Sequence, residues 1–363
     1  MLLVPKAIPT TPIPPPSQQH SPKYVSLLRH EAACRLPIHI LPPHGRRVLC
    51  LSELPETYFS VFDEFLLALE NISSSSSRAH CAVDRVHIDG DFFHRLPAVH
   101  QERLLLEIGR FPNLKHVYMG HCTVHAADLA LVLKMAFALE SLHLVHVTLT
   151  GDELARREFE SGLWYHESLR SVVWRDFTWN DSSSIMTLDG MVSAISSIPN
   201  LEEVEIDSQR EIGLSVSSLF QLFRGHNFLA KIHLSHVCLN HPIPEDLIAS
   251  CNFHSVVVPL RRVSLKHCGL TDRTALKIVR LLSSVPSLEV LDLSSNRNIT
   301  KDGILQVEAA LRTSSCRHMV DVVFHPVNHY ANHNNSNIND MTVNQNGRGE
   351  KYHPFFNWSA TAA

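Results

Sequence analysis

One spacing of apolar residues recurs along most of this 363-residue chain and constrains its fold more than any other feature. The clearest copy is "LEVLDLSSN", which follows the form apolar-x-x-apolar-x-apolar-x-x-Asn. A fixed period of this kind is typical of a repeat architecture in which each copy is one structural unit. Copies begin 25 to 32 residues apart, at Val83, Leu114, Leu139, Leu169, Leu201, Leu229, Leu260 and Leu288, with a degraded copy at Met319.

Each unit is predicted to be a strand followed by a helix. Strand side chains alternate between faces, so the last two apolar residues point inward and the residue between them points outward. Helix start signals follow at Thr271 in "TDRTALKIVRLL" and at Thr300 in "TKDGILQVEAALR". Prolines at Pro112, Pro199 and Pro286 end the helices before the next strand. One unit cannot bury its own leucines, whereas stacked neighbours can.

These units resemble the leucine-rich-repeat family, and within it the ribonuclease-inhibitor-like subclass, whose repeats have a similar length and carry a full helix. The resemblance covers residues 83–327, with an atypical first unit in which "RRVLCLSEL" forms a strand and "ETYFSVFDEFLLALENI" a helix. It implies an α/β leucine-rich-repeat solenoid of horseshoe shape, with a parallel sheet on the concave face and helices on the convex face. The expected organisation is a disordered Pro-rich tail (1–24), an N-terminal cap or atypical first repeat (25–82), the repeat array (83–328) and an Asn-rich C-terminal tail (329–363).

The last position of the spacing, which we call the ladder position, is usually Asn or Cys in this family. Here Asn296, Cys122 and Cys268 supply that residue. An Asn amide at this place would hydrogen-bond the backbone of the turn, and the two cysteines are interpreted as small buried residues. We expect a looser turn in the copies that carry another residue, namely Asp91, Val147, Phe177, Gln209 and Val237.

Composition narrows the classes of partner. The formal net charge of −4 gives no bulk electrostatic reason to expect binding to nucleic acid or to an anionic membrane. No run of 18 apolar residues occurs, and prolines interrupt "MLLVPKAIPTTPIPPPSQQ" where a signal peptide needs an apolar helix. We therefore expect a cytoplasmic or nuclear protein. Its eight cysteines include no Cys-x-x-Cys pair, which predicts reduced thiols and no zinc site.

Motifs for catalysis are missing from the sequence. It contains no Gly-rich phosphate loop, no G-x-S-x-G turn and no H-E-x-x-H helix. Its Ser, His and Asp residues are numerous, but none stands at a spacing that would build a nucleophile and its base locally. We therefore expect no enzyme activity, no catalytic residue, no cofactor and no metal.

Histidine is frequent, with 25 residues, and many fall on two positions of the repeat. The first position lies between the two inward apolar residues, and the second lies two residues after the last of them. A further histidine, His116, is one strand position away from the first. The first set is His87, His143 and His233, and the second set is His121, His146, His236 and His267.

Register alone predicts which of these histidines meet. Neighbouring strands lie about 4.8 Å apart, so His121 should stack beside His146. For the same reason His236 should stack beside His267. Three readings stay open: tolerated polar residues on an exposed sheet face, a partner-binding surface, or metal capture by paired imidazoles. If partners bind there, affinity should change below about pH 6.5.

The leading functional hypothesis is a protein–protein interaction scaffold that binds an unidentified protein on the concave face of the array. One alternative is a regulator of enzyme activity such as a Ran-type GTPase-activating protein; Arg85 can be compared with the functional arginine of that family, but the residues around it do not match the family's motif, so the role is not carried over. Another is a ubiquitin-ligase substrate adaptor, because "LPETYFSVFDEFLLAL" has the Leu-Pro opening of an F-box. The expected contact residues are Arg85, His87, His116, Tyr118, His121, His143, His146, Arg175, Glu205, His233, His236, Arg262, Lys266, His267 and Asp292.

Overall fold

Strands and helices alternate along the chain in the computed structural model, as the recurring spacing predicts. All described residues belong to the first of two units, Met1–Val327, the second being Asn328–Ala363. The expectations for both tails, and for the beginning of the F-box-like segment, lie outside the described residues. The structure describes residues 38–41, 46–51, 62–74, 83–164, 166–180, 188–224, 226–239, 259–282, 285–312 and 321–324.

Thirteen strands occur in the described part of the chain, and most copies of the spacing supply one of them. They are β1 (Ile38–Leu41), β2 (Arg46–Cys50), β3 (Val83–Asp89), β4 (His116–Gly120), β5 (Thr123–His125), β6 (Ser141–Val145), β7 (Thr148–Thr150), β8 (Ser171–Asn180), β9 (Glu203–Gly213), β10 (Lys231–Cys238), β11 (Arg262–Lys266), β12 (Val290–Asp292) and β13 (Asp321–Val323).

Nine helices connect these strands within the described residues. They are α1 (Phe62–Ser74), α2 (Gly90–His94), α3 (Ala98–Gly109), α4 (Ala126–Met135), α5 (Glu153–Trp164), α6 (Asp189–Ile195), α7 (Val216–Arg224), α8 (Asp272–Leu282) and α9 (Lys301–Arg312).

The sheet follows the order of the sequence. Its strands run β1-β2-β3-β4-β6-β8-β9-β10-β11-β12-β13. Among the described strands β1 pairs with β2 antiparallel, and every other pairing is parallel. The short strands β5 and β7 form a separate parallel ribbon with the end of β8. A parallel sheet with helical crossovers gives the α/β class and the solenoid-like stacking expected from the repeats.

The core lies between the sheet and its helices. In β6 the inward residues Leu142 and Leu144 are buried, as are Leu129 and Leu133 of α4. They belong to one continuous hydrophobic cluster that extends from Leu49 to Leu311. Burial of this apolar face stabilises each repeat only through its neighbours, which is why the units must stack.

The ladder position behaves as the repeat pattern predicts at Asn296. Its Nδ2 donates to the carbonyl oxygens of Leu265 at 2.7 Å and Leu293 at 2.9 Å. Its Oδ1 accepts from the backbone N–H groups of Cys268 at 2.9 Å and Leu270 at 3.1 Å. One buried amide therefore ties together the turns of two successive repeats.

The expectation of looser turns where Asn or Cys is replaced is wrong for Val147, Phe177 and Val237. The residue before each of them has φ between 48° and 57°, close to the 50° found before Cys122 and before Cys268. Backbone hydrogen bonds between repeats, such as Thr178 N to Val147 O at 3.0 Å, hold the turn, and the apolar side chains are buried. At Gln209 the turn is replaced by strand, because β9 continues to Gly213.

Helices start where the sequence indicates, and neighbouring repeats help to cap them. Thr300 Oγ1 accepts from Gly303 N at 3.1 Å, while Thr300 N donates to Asp272 Oδ1 of the preceding repeat at 2.7 Å. In the same way Ser215 N donates to Asp189 Oδ1 at 2.9 Å. These bonds satisfy N–H groups that a helix N-terminus otherwise leaves unpaired.

Two buried histidines occupy a third position, three residues before a repeat begins. His166 is 4% exposed and His226 is 1% exposed, and the same position holds Phe111 and Ile198 in other copies. His166 Nε2 lies 3.0 Å from the carbonyl oxygen of Ala136 in the preceding repeat. Burial lowers the pKa of both imidazoles, to about 4 for His226, so they are neutral near pH 7.

Within the described residues, none of the helices has the length and apolar character needed to span a bilayer.

Candidate functional site

The sheet carries a row of side chains formed by the residue between the two buried positions of each strand. Strand register places these residues directly beside one another. Six expected contact residues belong to this row, which we call the middle row. It runs Cys50, His87, Tyr118, His143, Val173, Glu205, His233, Ser264, Asp292 and Val323.

The first half of the middle row is a chain of ring contacts. The thiol of Cys50 lies 3.7 Å from His87 Nδ1. The His87 ring meets the Tyr118 ring edge to face, with centroids 4.5 Å apart. Burial, followed by the carboxylate of Asp89, raises the pKa of Tyr118. These rings are half-buried rather than freely exposed. They present polar edges on an aromatic surface, a combination enriched at protein interfaces.

His143 is more enclosed than the repeat pattern indicates. Burial lowers its pKa to about 4, and the nearby Arg175 guanidinium acts in the same direction. Its Nε2 lies 3.5 Å from Ser171 Oγ. Burial also lowers the pKa of His233. His143 therefore stays neutral between pH 5.5 and 8 and would not contribute to a change of affinity below about pH 6.5.

A second row lies beside the first, and we call it the outer row. Its expected contact residues are Arg85, His116 and Arg262. Arg262 is exposed, whereas the Arg85 Nε and His116 Nδ1 atoms are buried within the sheet face. The outer row runs Val48, Arg85, His116, Ser141, Ser171, Glu203, Lys231, Arg262, Val290 and Asp321.

Charged residues in the second half of these rows pair with neighbours on adjacent strands. Arg175 Nη2 donates to Glu205 Oε2 at 2.9 Å, and a second bond joins the same two side chains. Lys266 Nζ lies 3.1 Å from Asp292 Oδ2, and this lysine helps to lower the pKa of that carboxyl. The carboxylates of Glu205 and Asp292 are thus each paired with a basic side chain of a neighbouring strand.

A third row lies at the edge of the sheet where the strands end, and it confirms the predicted stacking. The His121 and His146 rings are 4.4 Å apart with planes 16° apart. The His236 and His267 rings are 4.6 Å apart with planes 8° apart. We call the residues immediately before the ladder position the edge row. By the repeat spacing it runs Gly90, His121, His146, Asp176, Ser208, His236, His267 and Ser295. Ser208 departs from the row in the structure, since it lies within β9 and pairs with Phe177.

Each stacked pair also contacts a carboxylate. His146 Nδ1 lies 3.0 Å from Asp176 Oδ2, and His236 Nδ1 lies 3.0 Å from Asp207 Oδ1. Burial, followed by the charge of the stacked neighbour His236, lowers the pKa of His267. In each pair, therefore, one imidazole contacts a carboxylate: His146 in the first pair and His236 in the second.

The backbone gives a reason for histidine in the edge row that the sequence reading missed. His121, His146, Asp176, His236 and His267 all have φ between 48° and 57°, the left-handed region. Among residues other than Gly, only Asn, Asp and His are enriched there. The signal in the sequence was the recurrence of His immediately before the ladder position, which the left-handed turn explains without requiring a binding role.

Metal capture by the paired imidazoles receives no geometric support. Among the described residues, no three His, Cys, Asp or Glu side chains converge where they could hold a metal ion. The ladder cysteines are buried, and burial raises the pKa of the Cys122 and Cys268 thiols to about 12. A thiol with so high a pKa is a poor nucleophile near pH 7, which fits a structural role.

Large apolar side chains that are exposed lie away from the three rows. None of the middle, outer or edge row residues that the structure describes belongs to this group. Its described members are Val99, Phe137, Leu154, Trp164, Phe228 and Leu305. Any recognition by the rows would therefore rely on rings, hydroxyls and charges rather than on an aliphatic patch.

Comparison with known proteins adds little beyond this geometry. No family model and no curated protein matches the chain. Among solved structures, 54 chains match it. One is a leucine-rich-repeat protein of Leptospira interrogans, with 14% identity, a TM-score of 0.34, and coverage of 72% of this chain and 80% of its own. A likeness at that TM-score transfers neither residues nor function, so the leucine-rich-repeat-like description rests on the strand, helix and ladder geometry above.

Proposed function

We propose that this chain is a scaffold for protein–protein interaction and that its partner binds the open face, defined as the middle and outer rows together. The observation that carries the proposal is the parallel pairing of neighbouring strands from β2 to β13, which aligns one middle-row side chain per strand from distant parts of the sequence. Such a surface offers contacts at fixed spacing without a catalytic centre.

We place the strongest contacts in the first half of the open face. Tyr118 and His87 present half-buried rings there, and aromatic residues in partly enclosed positions contribute most to protein interfaces. The charged second half would contribute to specificity, because pairs such as Arg175 with Glu205 are already satisfied within the sheet. The fifteen residues expected from the sequence remain our proposed contact set, with Tyr118 as its centre: nine lie on the open face, and Arg175, Lys266 and the four edge-row histidines lie beside it.

We also propose that the array has the ribonuclease-inhibitor-like form, with the open face on the concave side of a horseshoe and the helices on the convex side. Its support is the combination of repeats 25 to 32 residues long with helices of 10 to 12 residues such as α4 and α5. Small-angle X-ray scattering tests the shape, since a curved array and a straight rod of the same length give different distance distributions.

A photo-crosslinking amino acid tests the location of binding. It would replace Tyr118 on the open face or Leu154, an exposed residue of α5, in otherwise identical full-length chains. We expect a protein adduct from native lysate with the probe at position 118 and none with the probe at 154. The adduct should disappear when Arg262→Ser and His87→Ser are added. Adducts only from position 154, or none that respond to these changes, would contradict the proposal.

A further inference from the structure

A cavity lies outside the three rows, between the helices and the small ribbon. It has a volume of about 540 Å³. One wall is the α2–α3 corner, a second is the ribbon of β5 and β7, and a third is the first turn of α4. Its lining residues are His94, Ala98, Val99, Gln101, Glu102, Thr123, His125, Asp128 and Thr150.

Two carboxylates from different helices face this space. Glu102 belongs to α3 and Asp128 belongs to α4. Burial raises the pKa of Asp128, the His125 imidazole opposes that effect, and the charge of Glu102 adds to it. No Lys or Arg occurs among the described residues that line the cavity. Two carboxylates thus share a partly open space in which His94 and His125 are the basic side chains among the described lining residues, an arrangement that a bound cation would stabilise.

The rest of the lining fits a cation on an aliphatic stem. Ala98 and Val99 supply apolar surface at the mouth, and Val99 is 64% exposed. Thr123 and Thr150 supply hydroxyl groups that can accept hydrogen bonds from an ammonium group.

A glutamine side chain and a glycine shape two of these walls. Gln101 Nε2 donates to the carbonyl oxygens of Phe93 at 2.9 Å and Leu96 at 3.0 Å, which fastens the α2–α3 corner. Gly151 has φ of 130°, and a Cβ there would lie 3.2 Å from His125 Nε2 and 2.7 Å from Ala155 Cβ. Glycine therefore allows the His125 imidazole to sit against the ribbon.

We propose that this cavity binds a primary alkylammonium group, with Glu102 and Asp128 as counter-ions and Val99 against the aliphatic stem. The group would come from a lysine side chain of a partner or from a free polyamine. A metal ion is a poorer fit, because the His and carboxylate groups of the described residues do not converge as ligands. The site shares no residue with the open face and is independent of the function proposed above.

Saturation-transfer NMR with the full chain at pH 7 tests the site. n-Butylammonium is the probe, and 1-butanol is its neutral match. We expect strong saturation transfer from the protein to the methylene protons of butylammonium and little transfer to the protons of butanol. In Glu102→Gln and in Asp128→Asn the butylammonium signal should fall at least about threefold, because each change removes a counter-ion. Glu167→Gln, which changes an exposed glutamate in another repeat, should leave the signal unchanged.

Three results would overturn the proposal: equal saturation of butanol, which would indicate an apolar crevice only; an unchanged ammonium signal in both cavity variants; or no signal from either probe. Circular dichroism of each variant would show whether it is folded, and Glu102 is exposed, so its replacement should preserve the fold. Competition by spermidine or by N-acetyl-lysine amide then distinguishes the two sources of the group, and the tighter competitor identifies the source.

Discussion

His236 and His267 stand on successive repeats with their rings stacked 4.6 Å apart and their planes 8° apart. Both have left-handed backbone conformations, with φ of 57° and 50°. The same backbone geometry on neighbouring strands sends both side chains in the same direction, so stacking follows from the turn. His121 and His146 repeat the arrangement earlier in the chain. The edge row is therefore explained first by backbone conformation.

The first prediction concerns that conformation at His121, whose φ is 50°. His121→Val should destabilise the protein by about 1–2 kcal/mol, because a β-branched residue is strained in the left-handed region. His121→Asn should cost much less, since Asn tolerates that region. Urea denaturation measures both. His125→Val is the matched control, because His125 is extended with φ of −74° and should tolerate valine. Equal losses at the two positions would contradict the role given to the turn.

The second prediction concerns the amide of Asn296. Asn296→Ala leaves the N–H groups of Cys268 and Leu270 and the carbonyl of Leu265 without this partner in a buried site. We expect a loss of about 3 kcal/mol or more in the free energy of unfolding. Asn200→Ala removes a single hydrogen bond, to the carbonyl of Glu167 at the surface, and should cost less than about 1 kcal/mol. Comparable losses for the two variants would rule out the amide as a clamp between repeats.

The third prediction is a loss of stability in mild acid. The pKa of His226 and of His143 is lowered to about 4 in the folded state, against about 6.5 when unfolded. Below pH 6.5 the unfolded chain binds protons that the folded chain does not, so the free energy of unfolding falls as pH decreases towards 4. Each group contributes a slope of up to about 1.4 kcal/mol per pH unit.

Urea titrations at pH 7.5, 6 and 5 measure this slope. His226→Phe places at position 226 the residue that Phe111 supplies in another repeat, and it should make the pH dependence shallower. Ile198→Val changes an apolar residue at the same position of another repeat and should leave the slope as it is. An identical slope in the wild type and in His226→Phe would show that this imidazole is not buried in its neutral form.

The fourth prediction concerns thiol reactivity. Burial raises the pKa of Cys122 and Cys268 to about 12, so neither should react with iodoacetamide at pH 8 while the chain is folded. Cys238 is only partly buried and should be alkylated faster. Peptide mass spectrometry after timed labelling measures each site. If Cys268 were labelled as fast as Cys238 in the folded chain, its burial would be contradicted. In urea, where the chain is unfolded, we expect all three cysteines to be labelled.

The spacing of apolar residues by itself determined one strand per repeat, the inward positions of that strand and the neighbours of each side chain in the middle row, whereas β1, β5 and β7 lie outside the pattern. Stacking of His121 on His146 followed from that register alone, because a repeat places equivalent residues about 4.8 Å apart on adjacent strands. The hydrogen bonds of Asn296 followed for the same reason. These features depend on the pattern within one unit and its repetition.

Only the tertiary structure decided how enclosed each position is and which charges meet. It showed that His143 is shielded, that Glu205 pairs with Arg175, and that Glu102 and Asp128 face one cavity. Each of these facts depends on side chains that lie tens of residues apart and meet through packing between repeats or between helices. The sequence pattern gives the direction of a side chain, whereas the surroundings that set its burial, its pKa and its partner come from the neighbouring elements.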